Sequence, residues 1–448
     1  MRSLLGSLAL LATCAACSRF GPVYPPRPVP SQGPPVADPE PSRVVVHLTL
    51  ASAGLQGALE EAAPKSGDGT FPLLGADRRY TWDRGPLDVS FSQGRVVLQT
   101  KVHATVAVPL KPLDLSLDLR IEAEPIVSAA YTVKLQSVDV HVTSSDTRMA
   151  LADKVAGVYA KIEEPIAARL KDFAFDLRPL LAEAYARIAR PIDLAVGDAH
   201  ACARLRVLEI EAGPTVVADG LEKDIALVVA PSITMPCPDT YEDATVVLPP
   251  LSNVATLTPG PFTVTVPIAA RYDELTRAMT MAFTDGKLFF SKDYPELFLE
   301  KPELYESSGL LVLKLHIKGP VHRLGIESDL DGDLYLAGHP QVIDNELRIP
   351  DLEPTIETRS FLLSLKAMTS GDEIRDQARA ALRLDIGERL RDARSKLGDG
   401  LTFGSGDKGC FQADVDRVEV AGIYPHAAYL RVYVAVTAHA RATLPCPN

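Results

Sequence analysis

Long stretches of the chain alternate strictly between apolar and polar residues. In LDLSLDLRIEAE the odd positions of residues 113–121 are apolar and the even positions of residues 114–122 are polar. Residues 311–318 follow the same period of two. Because successive side chains of a strand point to opposite faces, this pattern predicts antiparallel sheets with one apolar face and one solvent-facing side.

Two other stretches have apolar residues spaced by three and four, which is typical of an amphipathic helix. The first covers residues 151–188 and contains Pro165 and Pro179, each expected to kink or split it, and the second covers residues 374–397. A helix of roughly 25 residues is about 37 Å long. The two patterns together predict an α+β fold in which a strongly curved antiparallel sheet wraps a long helix.

The chain repeats itself once. The letters MPCP at residues 235–238 close the first half, and LPCP at residues 444–447 close the second. Each half also begins with a strand-like run, VVVHLTL or FTVTVPI, followed by a short helical stretch. This repeat predicts two tandem modules with an elongated overall form. The predicted boundaries are residues 43–238 for the first module, residues 239–261 for a soft linker and residues 262–448 for the second module.

Four cysteines occupy matching places in the two halves. Cys202 and Cys410 each open an alternating run that reaches a turn-rich stretch and returns towards Cys237 or Cys446. A long hairpin brings its two ends together, so each pair of cysteines is expected to meet at the base of a hairpin. In an oxidising compartment this spacing predicts two structural disulfides, Cys202–Cys237 and Cys410–Cys446.

The first 17 residues have the pattern of a secretory signal. One arginine precedes an apolar run, and small residues follow it. The cysteines at its end resemble the lipidation site of bacterial lipoproteins, with Cys17 as the favoured acylated residue, Cys14 as the alternative, and simple cleavage and release as a further one. The nine prolines between Pro22 and Pro41 predict that residues 18–42 form an extended tether, in which the proline-rich run of roughly 20 residues spans about 60 Å at about 3.1 Å per residue. The expected location is the cell envelope, on an outer membrane facing the periplasm or at the cell surface.

The charge balance restricts the partners of the chain. Lys and Arg number 46 against 58 Asp and Glu, which gives a formal net charge of −12. Such a chain is not expected to bind nucleic acid or anionic lipid surfaces through bulk charge. The lipid anchor would attach it to a membrane, and the sequence names no protein partner.

The motifs of common enzymes and metal sites do not occur. No HExxH or GxSxG is present, and the CxxC formed by Cys14 and Cys17 lies at the end of the signal-like start. Asp329, Asp331 and Asp333 alternate in SDLDGDLYLAG, where calcium ligation is one interpretation and a hairpin turn at Asp-Gly is the favoured one. We therefore expect no catalytic residues, no metal and no cofactor, and an unrecognised hydrolase is kept only as an unfavoured alternative.

Three stretches carry a family resemblance. They are YTWDRGPLDVSFSQGRVVLQTKV, with Trp82 and Arg84, LAGHPQVIDNELRIPDLEPTIET, from Gly338 to Asp351, and the lipoprotein-like start, and they resemble bacterial lipoproteins grouped as a domain of unknown function, DUF4403. That family's fold is similar to the tubular lipid-binding (TULIP/BPI-like) superfamily, in which two modules bind lipids along an apolar groove. The resemblance implies a lipid-binding fold but supplies no catalytic residues and no named ligand.

Two functions follow as hypotheses. The leading one is a non-enzymatic, membrane-anchored lipoprotein that binds or carries a hydrophobic ligand, a lipid, in an apolar groove. The alternative is a structural or interaction lipoprotein that displays two rigid modules to a protein or glycan partner and has no ligand cavity. Which residues would contact a ligand is not fixed by the sequence.

Overall fold

The computed structural model describes most of the chain after residue 25. The described residues are 26–73, 76–107, 112–147, 149, 153–154, 157–172, 174–176, 178–179, 182, 185–186, 189–196, 199–238, 247–282, 287–291, 294–323, 326–358, 375–376, 379, 382–404, 410–444 and 446. Cys14 and Cys17 lie outside these residues, so the predicted lipidation site has no structural description. None of the helices in the described part is long and apolar enough to cross a membrane.

The described part is predominantly β. In chain order its strands are β1 (Ser42–Ala51), β2 (Ser66–Leu73), β3 (Ala76–Arg84), β4 (Asp88–Ser92), β5 (Arg95–Val106), β6 (Leu113–Val127), β7 (Thr132–Thr143), β8 (Ala174–Asp176), β9 (Ile192–Val196), β10 (Ala199–Val217), β11 (Gly220–Met235), β12 (Leu251–Asn253), β13 (Phe262–Arg271), β14 (Lys287–Ser291), β15 (Tyr294–Ser307), β16 (Leu310–Arg323), β17 (Ile326–Gly338), β18 (Gln341–Ile343), β19 (Glu346–Arg348), β20 (Glu353–Thr358), β21 (Leu384–Asp385), β22 (Phe403–Gly404), β23 (Cys410–Pro425) and β24 (Tyr429–Leu444). Its helices are α1 (Ser52–Ala62), α2 (Val158–Lys171), α3 (Tyr272–Ala282) and α4 (Gly387–Gly400).

These strands form four sheets. A seven-stranded sheet, in the order β2-β3-β5-β6-β7-β8 with β4 beside β5, belongs to the first half. A five-stranded sheet, in the order β14-β15-β16-β17-β20, and a small sheet, in the order β18-β19-β21, belong to the second half. The fourth sheet has nine strands from both halves and is called the shared sheet below.

In the shared sheet, β1 and β13 both lie between β11 and β24. β1 pairs antiparallel with β11 along its whole length and parallel with β24 over residues 46–50. β13 pairs antiparallel with β24 along its whole length and parallel with β11 over residues 268–270. Backbone hydrogen bonds therefore join the two halves directly, because each half supplies a strand that completes the ladder of the other.

The alternating pattern of the sequence is confirmed in the sheet of each half. Leu115 and Leu117 are buried while Ser116 and Asp118 are exposed, and the buried leucines pack with Val158 of α2 in one cluster. In the second half Leu315 and Ile317 are buried in a cluster with strands β15 and β17. Burial of apolar faces of this kind is worth roughly 25 cal/mol per Å² and is the main driving force for folding.

The long helices are a correction to the sequence-based expectation. α2 and α4 have 14 residues each, not about 25. α2 continues through Pro165 but ends before β8, which pairs with β7. α4 begins only after β21, which pairs with β19. A few residues of strand pairing interrupt each helix-like pattern, and the spacing of apolar residues does not show such short strands.

The turn predicted at Asp331 and Gly332 is wrong. β17 runs without interruption through both residues, and its partner β16 places His316 beside two of the acidic side chains. His316 lies 3.5 Å from the Asp331 carboxylate and 3.0 Å from that of Asp333. The alternating acids therefore belong to the polar face of a strand.

The predicted linker is partly ordered by the shared sheet. Within residues 239–261, β12 pairs in parallel with β10 and Leu251 is buried. The buried Tyr131 donates its hydroxyl to the carbonyl of Pro249 at 2.6 Å. The part of the linker that the structure describes is thus held against the first half.

The proline-rich segment also differs from the expected free tether. Residues 26–41, called the strap below, lie along the second half. The Ser31 N–H donates to the Glu306 carbonyl at 3.2 Å, and the Ser308 N–H donates to the Ser31 carbonyl at 2.9 Å. Further along, Tyr433 donates its hydroxyl to the Ala37 carbonyl at 2.6 Å. Extended proline-rich backbone leaves its carbonyls free, and here tyrosines and backbone amides of the second half bind them.

Candidate functional site

The four inner strands of the shared sheet present one apolar face to which both halves contribute. Residues in register across a ladder lie on the same face, and side chains alternate along each strand. The face so defined, called the shared apolar face, consists of Val44, Val46, Leu48 and Leu50 of β1; Leu221, Lys223, Ile225, Leu227, Val229, Pro231, Ile233 and Met235 of β11; Phe262, Val264, Val266, Ile268 and Ala270 of β13; and Leu430, Val432, Val434, Val436, Ala438, Ala440 and Ala442 of β24.

Most of this face is not fully covered. Val229, Ala270, Ala438 and Ala440 are buried, whereas every other member is partly accessible to solvent. By contrast, the core clusters of the two halves contain residues that are almost completely buried, such as Leu352 at 0% exposure. A continuous apolar face that stays partly accessible is typical of a site that contacts a ligand, a membrane or another protein.

The opposite face of the same strands carries polar and charged side chains among smaller apolar ones. His47 Nδ1 lies 2.8 Å from the Asp224 carboxylate across the β1–β11 ladder. Thr263 and Thr437 share a hydrogen bond of 3.1 Å across the β13–β24 ladder. On β24, Arg431 binds Asp38 of the strap at 2.6 Å. The two faces therefore have distinct chemistry, and only the shared apolar face resembles a site for an apolar ligand.

The predicted disulfides differ between the two halves. Cys202 and Cys237 form a disulfide, with 5.0 Å between their Cα atoms. Cys410 and Cys446 are free thiols in the structure, so the second predicted bond is not formed there. The two thiols are neighbours, because a hydrogen bond with Cys446 lowers the pKa of Cys410, and desolvation raises the pKa of Cys446 to about 11. The hairpin geometry thus brings both pairs together, as the spacing predicted, and of the two predicted bonds the structure forms Cys202–Cys237.

One carboxylate lies beside the disulfide. Asp193 of β9 is in register with Cys202, and its oxygen and the two sulfurs lie within 4.8 Å of one another. Sulfurs that are bonded to each other offer no thiolate for a metal ion. We therefore assign these three residues to a disulfide with a neighbouring carboxylate, and not to a metal site.

Arg84 holds the first half together. Its side chain is 6% exposed and donates to the Glu60 carboxylate at 3.0 Å and to the carbonyls of Pro64, Ala63 and Gly85. The N–H of Leu87 and the Arg84 guanidinium together hold the pKa of Glu60 below its usual range. Trp82, the single tryptophan, packs across Gly67, where an added Cβ would lie 2.8 Å from its ring. Arg84 thus fixes the end of α1 against β3, and Trp82 packs β3 against β2.

The second motif has a similar structural role. An added Cβ at Gly338 would lie 2.4 Å from Ile349, so only glycine fits there. Asp344 and Asn345 have positive φ angles, as a tight β18–β19 hairpin requires. Asp351 accepts hydrogen bonds from the backbone N–H and the ring of His339 at 2.8 and 2.6 Å. These residues shape a hairpin against the core of the second half.

The sequence patterns did not predict the place of Lys223 on the shared apolar face or the contacts of the strap. Lys223 had a visible signal, because LEKDIALVV places a charge where the alternation calls for an apolar residue. The strap contacts had no such signal, since free tethers and bound extended segments share a proline-rich composition.

The comparisons with known proteins agree with the resemblance noted above. The sequence profile of the family described as "Domain of unknown function (DUF4403)" matches residues 40–444. This match spans most of the chain, and the protein belongs to that family. No curated protein sequence matches it at a significant level.

A solved structure titled "Crystal structure of lipopolysaccharide binding protein" is similar to this chain with 10% sequence identity. The similarity covers 90% of this chain and 99% of that chain, with a TM-score of 0.24. A likeness this weak does not define the fold or the ligand of the present protein.

Proposed function

We propose that this protein is an exported, membrane-anchored lipoprotein that binds or carries a lipid along the shared apolar face, without catalysing a reaction. The observation that carries the proposal is the continuous run of partly accessible Val, Leu and Ile side chains across β1, β11, β13 and β24. The signal-like start and Cys17, or Cys14, support the anchor and a location on the outer membrane facing the periplasm.

The size of the hydrophobic gain fits reversible binding. Each methylene removed from water contributes about 0.8 kcal/mol, so ten methylenes contribute roughly 8 kcal/mol. Loss of translational and rotational freedom on association opposes this by an estimated 4 kcal/mol or more. The surplus corresponds to weak or moderate affinity, which suits a protein that carries a lipid and releases it.

Native mass spectrometry of the gently purified protein tests the proposal directly. We expect a copurifying mass in the range of a lipid, which organic extraction removes. A protein that is repeatedly free of lipid, and that does not take up a fluorescent fatty acid, contradicts the proposal. A stoichiometric protein or glycan partner bound to such a lipid-free sample would instead support the alternative of an interaction lipoprotein.

Matched variants locate the binding surface. Val434→Glu places a carboxylate on the shared apolar face, and Thr263→Glu places one on the exposed polar face of the same sheet. We expect at least a tenfold loss of fatty-acid affinity for the first variant and less than a twofold change for the second. Val434→Thr keeps the side-chain shape and serves as a second variant in case Val434→Glu fails to fold. We expect it to lose less fatty-acid affinity than Val434→Glu.

A further inference from the structure

One residue of the shared apolar face is charged. Lys223 lies on β11 between Leu221 and Ile225 on the same face, and its partner across the ladder on β1 is Leu48. All other members of the face are apolar. The chain therefore places a single ammonium group at one end of a surface that otherwise suits hydrocarbon.

The contacts of this ammonium group leave it without a counter-charge. Its Nζ donates to the carbonyl of Gly213 at 2.8 Å and to the hydroxyl of Thr215 at 3.1 Å. A lysine ammonium has three donors, so two neutral acceptors leave one donor free. In the part of the chain that the structure describes, no carboxylate forms an ion pair with Lys223, and the adjacent Asp224 pairs with His47 instead. Burial alone lowers the pKa of Lys223, which agrees with the absence of a nearby acid in that region.

The fold does not require a charge at this position. The corresponding place in the second half is Val432 of β24, which is paired with Ile268 of β13. An aliphatic residue therefore fits the same site of the ladder. A desolvated cation among aliphatic side chains is unfavourable unless an anion or hydrogen-bond acceptor compensates it.

We propose that Lys223 binds the anionic head group, a carboxylate or a phosphate, of an amphiphile whose hydrocarbon chain lies on the shared apolar face. This inference rests on the proposed lipid-binding function and specifies the class of lipid. The formal net charge of −12 opposes anionic membrane surfaces as a whole, but it does not prevent one oxyanion from pairing with one lysine in contact with it.

The test compares three ligands with the same chain length: dodecanoic acid, dodecyl phosphate and dodecanol. The full mature chain is titrated with each ligand at neutral pH by competition with a fluorescent probe. For the wild type we expect one or both anions to bind at least tenfold more tightly than the alcohol. The preference for one anion over the other then distinguishes a fatty acid from a phosphate head group.

Lys223→Met keeps the length of the side chain and removes its charge. We expect this variant to bind both anions no more tightly than dodecanol, and to bind dodecanol as the wild type does. Lys101→Met, at an exposed lysine on β5, is the control and should keep the wild-type preference. Unchanged preference in Lys223→Met, or a wild type that binds all three ligands equally, overturns the assignment of Lys223. Failure of the wild type to bind any of them instead contradicts the proposed lipid-binding function.

Discussion

The two halves of the shared sheet have the same backbone register and different side chains. Leu48 of β1 pairs with Ala442, and its counterpart Ile268 of β13 pairs with Ile233, which is the counterpart of Ala442. The two long hairpins even carry a β-bulge at the same place, after Val207 in β10 and after Val415 in β23. The register of the hydrogen-bond ladder is therefore the same in both halves at these positions.

The chemistry on that ladder diverged. Asp224 on the polar face pairs with His47 in the first half, whereas its counterpart Tyr433 binds the strap carbonyl of Ala37 in the second. On the apolar face the divergence is Lys223 against Val432. The comparison teaches that the duplicated backbone provides the scaffold, and that each half acquired its own contacts on it.

The largest expected difference between the halves concerns their cysteines. Cys202→Ser combined with Cys237→Ser removes a disulfide with a sequence separation of 35, which the chain-entropy model values at about 4 kcal/mol. Cys410→Ser combined with Cys446→Ser removes two free thiols, and we expect a loss of at most about 1 kcal/mol. Denaturant unfolding of the oxidised protein measures the loss of unfolding free energy in both double variants. Equal losses would show that the second pair is also bonded in solution.

A smaller effect is expected for the strap, which contacts the second half. An added Cβ at Gly33 would lie 2.5 Å from the backbone nitrogen of Gly309, so Gly33→Ala should displace the strap at a cost of about 1–3 kcal/mol. Hydrogen exchange measures this as lost protection of the Ser31 and Gly33 amides, with the strands as an internal check of folding. Gly260→Ala, where nothing lies within 4 Å, should leave the protection unchanged. Strap amides that stay protected in Gly33→Ala would show that the strap is held elsewhere.

The smallest predicted effect depends on pH and belongs to the first half. The pKa of Glu60 is held down by the Leu87 N–H and by Arg84, so its carboxylate stabilises the fold above the unfolded-state pKa, and this stability is lost as the pH falls through the folded-state pKa. Glu60→Gln should therefore lower the Tm at pH 7. The difference in Tm between this variant and the wild type should shrink as the pH falls towards 3.

The matching position in α3 is the exposed Thr280, which carries no charge. Thr280→Val should shift the Tm by an amount that does not change with pH. If the Tm difference between Glu60→Gln and the wild type stays constant from pH 7 to pH 3, the charge of the Glu60 carboxylate does not contribute to the stability of the fold.

Two patterns confined to one strand or one hairpin gave correct predictions. The alternation of residues 113–121 predicted the face of β6 on which Leu115 and Leu117 are buried, and the matched cysteine spacing predicted that Cys410 approaches Cys446. Both follow from the geometry of one strand or one hairpin, which is encoded locally.

Features that depend on distant contacts could not be predicted in this way. The strap binds Glu306 and Tyr433 across hundreds of residues, and β1 pairs with β24 from the other end of the chain. The helices were predicted to be too long because β8 and β21 are only three and two residues long, and they exist through pairing with strands elsewhere. The shared apolar face becomes visible only when all four strands are placed in register.

The central claim, that a lipid lies on the face built by both halves, is tested most directly by photolabelling. A fatty acid that carries a diazirine on its chain is bound to the full protein and irradiated, and the labelled residues are mapped by mass spectrometry of the digest. The account predicts labels on both halves, at positions such as Leu227 of β11 and Val434 of β24, and competition by unlabelled fatty acid. Labels confined to polar-face residues such as Thr263 and His439, or spread over the surface without competition, would contradict it.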